Sequence, residues 1–515
     1  MRARQGAKRM QGDENVRVIF GMKLRQFREQ FGYTLKALAQ KTGLSPSYLT
    51  EIEKGKKYPK AEKILQLAQA LELSFDDLVS LKLDHQLNPL TGLLDSPLMQ
   101  QFPFQLFGIT SRDVLDLVTR SPNEASILIR ALGDIATSYD MRVEHFFYAA
   151  LRSYQEAHQN HFAELEDAAD TFVTEQGWDR TQPLMDDRLR RVLTDTYRYI
   201  IDDDTLDAYP ELQGFRSVLA DGDPPRLLLN SKLLPAQKAF VLGREIGYCY
   251  LGLHDRATTS SPSEVRSFAQ VLNDFKASVF SGAILMSRAC LTADLELFFA
   301  RPQWDETAFL QLLTRYNATP EMFFYRLSEL IPTFLQLPQL HFLRLHTDIG
   351  SQRYHLTKHL NMSQLPLPHG LGLHEHYCRR WLSVRVLRQL EQRQQYGVGS
   401  QVPIIGVQRS HFVGDETEYF CMSLARPLVL TPATNTSVTL GFRVDEAFKK
   451  QVRFWDDPAI PCVEINETCE RCPLSEVACC ERAVSATLYQ REQAIVSRND
   501  TLHHLLASLQ TGTQA

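Results

Sequence analysis

Residues 33–57, YTLKALAQKTGLSPSYLTEIEKGKK, constrain this chain more than any other stretch. Thr34 is placed to cap a short helix whose Leu35, Leu38 and Ala39 fall at i, i+3 and i+4 on one face. Gly43 permits a sharp turn. Ser45 is then a natural N-cap, and Pro46 a natural first residue, for a second helix. Leu49 and Ile52, three apart, point that helix inward, and Gly55 suits its C-terminal end. Flanking helices are predicted at about 18–31, with Val18, Met22 and Phe27 among its apolar residues, and at about 61–71, with Ile64, Leu67, Ala68 and Leu71 on one face. Phe75 and Leu78 close a small core. Two short helices joined this way leave the outer face of the second free to enter the major groove of DNA.

The segment resembles the phage-repressor, or Xre-type, helix-turn-helix over roughly residues 16–80. The resemblance implies a five-helix lambda-repressor-like domain that binds double-stranded DNA through the second helix. It puts Ser45, Pro46, Ser47, Thr50 and Glu51 near base edges, and Tyr48, Lys54, Lys56 and Lys57 toward phosphates. Leu35 and Pro46 stand where many relatives carry polar residues, so no operator sequence follows. Charge agrees with the reading. Residues 1–80 hold 15 Lys and Arg against 9 Asp and Glu, a balance of +6, whereas the whole chain is −5, which leaves −11 for residues 81–515. A basic module on an acidic body is the asymmetry expected of a DNA-binding protein.

At 515 residues the chain has room for about three domains, and 44 % hydrophobic content is ample for real cores. No apolar run approaches the roughly 20 residues needed to cross a bilayer. The N-terminus, MRARQGAKRMQGDEN, lacks the apolar stretch of a signal peptide. A cytoplasmic protein without a membrane partner is expected, with cysteines that are reduced, metal-bound or redox-active. Beyond a helix-turn-helix domain at 16–80, residues 81–103 read as a linker, 104–340 as a helical region and 341–515 as a cysteine-bearing C-terminal domain. The predicted class is mainly α with α+β parts: a helical and α+β middle domain and an α+β C-terminal domain.

In the middle region, helical text runs from about 111 to 176 and includes Ile127-Leu128-Ile129. Short strands are predicted at 197–202, 215–220 and 226–229, then a long helix from Pro235 to about Leu251 and further helices over 306–335. This strand–strand–helix order, with PAQKAFVLGREIGYCYLG at 235–252, resembles the zinc-peptidase-like domain of irradiation-response and phage-immunity regulators, placed here at about 190–290. There the helix carries H-E-x-x-H, two zinc-binding histidines on one face and a Glu as general base. The matching positions are Arg244, Glu245 and Tyr248, so both histidines are missing. A protonated guanidinium cannot ligate zinc. Asp274 is nearest to the place of the downstream acidic ligand, and His254 is off the needed spacing. The expectation is a peptidase-like scaffold without catalysis, and not an enzyme. An active metallopeptidase targeted to DNA is the alternative.

Nine cysteines are unevenly spread. Cys249, Cys290 and Cys421 sit in apolar text and read as core. Cys469-x-x-Cys472-Pro473 is a ligand knuckle, two thiolates able to converge on one centre, with a proline of the kind that follows ligating cysteines in iron–sulfur proteins. Cys479 or Cys480 offers a third thiolate, and Cys378 or else Cys462 a fourth. His374 or His376 would make such a site more zinc-like. Strand-like pieces at 402–407, 418–424 and 437–444 suggest a sheet with helices against it, and Arg379, Arg380, Arg385 and Arg426 are able to meet phosphates.

Taken together, QKAFVLGREIGYCYLGL at 237–253, FKASVFSGAILMS at 275–287, HYCRRW at 376–381, and CERCP with CCERA near the end make nearly the whole chain resemble the short-chain fatty acyl transcriptional regulators. The resemblance implies a regulator of carbon or short-chain fatty acid metabolism whose effector is an acyl-CoA or related metabolite, and the geometry of paired half-sites leads to the expectation of a homodimer. In that family's terminal motif the third cysteine lies three residues before an R-A pair, so Arg482-Ala483 selects Cys479 over Cys480. The expected site is a [4Fe–4S] cluster, or alternatively zinc, on Cys378, Cys469, Cys472 and Cys479. A toxin–antitoxin or phage-immunity type regulator is the rival within gene regulation.

Overall fold

The computed structural model describes residues 17–79, save 18, 19, 22, 26 and 54, and residues 143–512, save 261–264, 369–374 and 398–402. The linker expected at 81–103, the text at 127–129 and the side chains of Val18, Met22, Lys54 and His374 therefore lie outside the described residues. The chain divides into two compact units, residues 1–147 and 148–515. Among the described residues no helix is long and apolar enough to cross a membrane.

In the first unit, helical residues between 17 and 30 precede α1 (Leu35–Thr42), α2 (Pro46–Glu53), α3 (Ala61–Ala70) and α4 (Phe75–Val79). The turn chemistry is as the residues dictate. Thr34 accepts from the backbone N–H of Ala37, Gly43 ends α1 at φ 68°, and the Ser45 hydroxyl accepts from the N–H of Tyr48 at 3.2 Å. Leu38, Leu49, Ile52, Ile64, Leu67, Leu71 and Leu78 are buried together, with Leu35 and Phe75 packed at the margin. Two further contacts fix α2. A Cβ on Gly21 would sit 2.2 Å from the Ile52 carbonyl, so only glycine lets the first helix approach so closely. The Arg28 guanidinium donates to both oxygens of Glu53, at 2.6 and 3.0 Å, from a largely buried position.

The second unit follows helices α5 (Val143–Ala157), α6 (Ala163–Glu175) and α7 (Asp186–Arg191) with strands β1 (Ile200–Asp202), β2 (Ser217–Ala220) and β3 (Arg226–Leu229). Their spatial order is β1-β3-β2, with β1 parallel and β2 antiparallel to β3. Helix α8 (Pro235–Tyr250) then packs along α9 (Phe268–Leu285). Gly243 and Gly247 make that approach possible: a Cβ on the first would lie 2.5 Å from the Ser281 hydroxyl, and on the second 3.2 Å from the backbone of Ala277. Helices α10 (Arg288–Phe299), α11 (Glu306–Arg315) and α12 (Pro320–Phe334) complete the helical layer.

A six-stranded sheet follows, built from β4 (Leu340–Asp348), β5 (His355–Asn361), β6 (Ile404–Phe412), β7 (Glu418–Pro427), β8 (Thr434–Arg443) and β9 (Cys462–Ile465). Its order is β5-β4-β8-β7-β6-β9, antiparallel except for β6 with β9. Three of these strands, β4, β5 and β9, lie outside the predicted pieces. Helix α13 (Leu382–Gln395) covers one face, while α12 packs on β4 and β8. Burial alternates accordingly. Phe420, Met422 and Leu424 of β7 enter the large core shared with α6–α12, and Tyr419, Cys421 and Ala425 join α13. A strand buried on both sides reads as a continuous apolar run, as YFCMSLARP does. The large core spans Ala169 to Ile460, so the division placed near residue 340 falls inside one hydrophobic cluster. Short α14 (Glu446–Gln451) and the long α15 (Thr487–Gly512) end the unit.

A buried charge network ties α6 to α12. Arg326 is 1 % exposed, and its guanidinium binds both oxygens of Glu166 and one of Glu329. Glu166→Ala leaves that guanidinium with one carboxylate in a dry site, and a loss of about 3–5 kcal/mol is expected from breaking such a pair. Denaturant unfolding of the variant checks it, and a loss below about 1 kcal/mol contradicts it.

Candidate functional site

The outer face of α2 presents Ser45, Pro46 and Ser47 fully exposed, with Thr50 and Glu51 half-buried beside them. The Thr50 hydroxyl donates to the Pro46 carbonyl at 2.8 Å and keeps its lone pairs outward. Glu51 is already engaged: its carboxylate holds the Lys57 amine at 2.8 Å, which lowers the acid's pKa and raises the amine's. Tyr48 forms a platform with the Lys63 amine 4.1 Å and the Lys57 amine 5.8 Å from its ring centre. Lys56 is exposed at the end of the helix. The surface is thus a polar helix face flanked by lysines, suited to base edges in the middle and phosphates at the rim.

On α8 the three peptidase-motif positions are brought together with Asp274 of α9. The Arg244 guanidinium and the Tyr248 hydroxyl both donate to Oδ1 of Asp274, the latter at 3.1 Å. A guanidinium therefore fills the place between these two helices where a metal's charge would sit. Burial is the largest single effect and works against the Arg244 cation, but Asp274, Tyr248 and Glu245 together outweigh it and raise its pKa. Glu245, 3 % exposed, accepts both arms of Arg256 at 2.6 and 2.8 Å. Arg256 in turn lies 3.9 Å over the ring of Tyr248. These residues are buried, not the exposed ion pairs of an ordinary helix surface. A carboxylate held in this way is not poised to take a proton from water. Sequence spacing did not reveal Arg256, which sits in the loop after α8.

A cavity of about 530 Å³ opens beside this cluster, walled by α5, α8, α9, α12, β4 and β5. Arg152, Arg216, Arg244, Arg326, Arg344, Lys358 and Arg426 line it, against the carboxylates Asp274, Glu321 and Glu329. Each carboxylate is matched: Asp274 by Arg244, Glu321 by both arms of Arg426, and Glu329 by Arg326. Arg152, Arg216, Arg344 and Lys358 enter no ion pair among the described residues. Burial lowers the pKa of all four, Lys358 to about 7 with help from Arg344 and Arg216. The β4–β5 register sets Arg344 directly opposite Lys358, a like-charge pairing that is unfavourable by itself. Of the four arginines expected to meet phosphates, only Arg426 lines the cavity, already paired. Arg379 and Arg380 donate to backbone carbonyls of Gln352 and Ala478, and Arg385 to Gln408.

The segment HYCRRW and the terminal cysteines meet through an isolated bridge between Tyr377 and Thr468. The Cys378 N–H donates to the Glu467 carbonyl and the Cys469 N–H to that of His376, at 3.2 and 2.9 Å. Trp381 donates from its indole to the Asn466 carbonyl, so the motif clamps the cysteine loop. Cys378, Cys469, Cys472 and Cys479 are buried free thiols, whereas Cys462 and Cys480 are exposed. Burial pushes the Cys378 thiol up to about 11, opposed by N–H groups of Asn466 and Arg380. The Ala483 N–H reaches the Cys469 sulfur at 3.4 Å. His376 is held by Glu470 through Nδ1 at 2.8 Å. Among the described residues no three His, Cys, Asp or Glu side chains close tightly enough to hold a single ion.

The α8–α9 geometry makes a direct prediction. Arg244→His with Tyr248→His removes the guanidinium and restores H-E-x-x-H opposite Asp274. The folded double variant is expected to bind about one zinc per chain by elemental analysis. Failure to gain zinc contradicts the placement of these three side chains around one point.

A helix-turn-helix family pattern matches residues 24–78, and an IrrE N-terminal-like domain matches residues 205–328. An uncharacterized HTH-type transcriptional regulator of Bacillus subtilis (strain 168), YazB, is 42 % identical over 60 residues, which cover 12 % of this chain and 87 % of that protein. A solved Mycobacterium tuberculosis transcriptional regulator aligns at 20 % identity and a TM-score of 0.43, covering 66 % of this chain and 93 % of the other. With both histidine positions replaced and its glutamate held by Arg256, α8 does not carry the peptidase's catalytic arrangement. The chain belongs to the HTH-type transcriptional regulators, which are DNA-binding proteins.

Proposed function

We propose that this regulator controls genes of carbon or short-chain fatty acid metabolism in the cytoplasm, and that its effector is an acyl-CoA or related anionic metabolite bound in the cavity. The observation that carries this reading is the set of four cations without carboxylate partners, above all Arg344 facing Lys358 across β4 and β5. Guanidinium groups pair bidentately with phosphate oxygens, and a phosphorylated ligand relieves the repulsion between them. Phe240, Val271, Phe275, Met322 and Phe342 supply an apolar wall suited to a short acyl chain. A volume near 530 Å³ is that of a small-molecule site.

The wall joins the helical layer to the sheet, so a ligand there favours one packing of the second unit by its differential affinity for it. A homodimer, with heads set for half-sites about one helical turn apart, converts that preference into operator affinity. Cys378, Cys469, Cys472 and Cys479 fit a [4Fe–4S] centre by their donor chemistry, their burial and the N–H groups aimed at their sulfurs. When bound, it supplies a redox-sensitive tie between the HYCRRW segment and the terminal loop.

Genome-wide mapping of bound sites, with and without short-chain fatty acids, tests the role. Occupancy near acyl-CoA metabolic genes that changes with propionate supports it. Occupancy confined to phage or toxin–antitoxin loci overturns it in favour of an immunity regulator. Lys56→Ala with Lys57→Ala is expected to weaken binding on all sequences and to flatten the salt dependence, by about 0.9 in slope for each phosphate that is no longer neutralised. An unchanged slope in mobility-shift titrations removes these lysines from the interface. Anaerobically purified protein is expected to carry iron and labile sulfide and to lose both on Cys469→Ser. Colourless protein free of iron contradicts the cluster.

A further inference from the structure

We propose that Lys358 is an acyl acceptor, taking the acyl group from a short-chain acyl thioester bound in the cavity and keeping it as an amide. The inference rests on the reading of the cavity as the effector site. Its basis is position. Lys358 lies within β5 on the cavity wall, with its amine 3.3 Å from the ring centre of Tyr325. Among the described residues that amine enters no ion pair and donates no hydrogen bond. Arg344 faces it from β4, and Arg216 lines the same wall. The carboxylates within electrostatic range are Glu329 of α12 and Asp274 of α9, each already matched to an arginine.

Two consequences follow for reactivity. Burial, with the charges of Arg344 and Arg216, pushes the amine down to about 7, so a large fraction is neutral at neutral pH. A neutral, desolvated lysine is a nucleophile, whereas a surface lysine is not. Arg344 and Arg216, on the same wall as the amine, also lower the cost of negative charge on a carbonyl oxygen beside it.

The step balances without an oxidant or reductant. The Lys358 nitrogen lone pair attacks the thioester carbonyl carbon, the C–N bond forms, and the C–S bond breaks. The thiol leaves as thiolate and takes up the proton that the amine gives up. The products are one amide and one free thiol. Glu329, whose carboxyl burial and Glu166 push up to about 7 against the pull of Arg326, lies within electrostatic range of the amine and is able to carry that proton between the two. Acylation removes one positive charge from the cavity wall, so a passing metabolite would leave a lasting change in how the cavity binds anions.

The test uses the full-length protein and propionyl-CoA. Binding is read by calorimetry, and covalent modification by peptide mass spectrometry after hydroxylamine treatment, which cleaves thioesters on cysteine and spares amides. One propionyl group on Lys358 is expected, with its rate of formation rising as pH passes through about 7 and levelling above. In Lys358→Arg the adduct at this position is lost, while slow modification of surface lysines continues. Binding of propionyl-CoA with no adduct at Lys358, or with adducts spread evenly over exposed lysines, overturns the proposal and leaves the effector reading standing. Absence of binding to the folded protein removes the effector reading itself, and acylation with it.

Discussion

The Arg244 guanidinium, held between α8 and α9 by Asp274 with Tyr248 on the same carboxylate, is the interaction on which the character of the α8–α9 wall depends. Two helices that approach closely enough to need Gly243 and Gly247 leave a narrow polar seam. Arg244 is the buried charge in that seam, and the half-buried Asp274 supplies the carboxylate that such a charge requires. An arginine supplied from α8 keeps that charge in place permanently, without depending on metal supply. The same replacement takes the general base out of play, because Glu245 is bound through both oxygens by Arg256. What persists is a rigid two-helix wall with a fixed charge pattern.

That wall gives the cavity its character. Asp274, Glu321 and Glu329 are each consumed by a neighbouring arginine, and the remaining four cations are left without a carboxylate partner among the described residues. These four are half-buried cations lining one cavity, and that is what motivates the proposed anionic ligand. The cavity lies where the helical layer meets the sheet, and the large core continues through both, so α12 and β4 are packed as one body. A ligand that alters the distance between Arg344 and Lys358 therefore acts on elements that share a core rather than on a loose surface loop.

Local chemistry made the DNA-reading unit legible. Thr34, Gly43, Ser45 and Pro46 each dictate backbone geometry within a few residues, and the structure uses Thr34, Gly43 and Ser45 as expected. The helix at 235–250 and the three short strands before it were readable from period and turn signals for the same reason. What the sequence hid is long-range. Arg344 and Lys358 become neighbours only through the β4–β5 register, and Arg216 reaches the same wall from outside the sheet. Residue type alone points to four arginines for phosphate binding, and three of them hold backbone and Gln408 in place instead. Counting thiolates offered Cys378 beside Cys462 as a partner for Cys469 without fixing which, since about ninety residues separate Cys378 from Cys469 and an isolated bridge, Tyr377 to Thr468, joins their segments. Glu51 reads as a base-contacting residue by motif position, yet it is held by Lys57, a pairing that DNA phosphates would have to exchange.

The central claim, that an anionic metabolite is sensed on a wall of unpaired cations beside a metal-free peptidase helix, is tested most directly by one titration. Propionyl-CoA is titrated calorimetrically into the wild-type protein and into a folded Arg216→Ala, Arg344→Ala double variant. The account expects binding to the wild type and a loss of roughly tenfold or more in the variant, since each charge-assisted hydrogen bond contributes about 1.5–3 kcal/mol. Equal affinity in the two proteins would place the effector elsewhere and contradict the account.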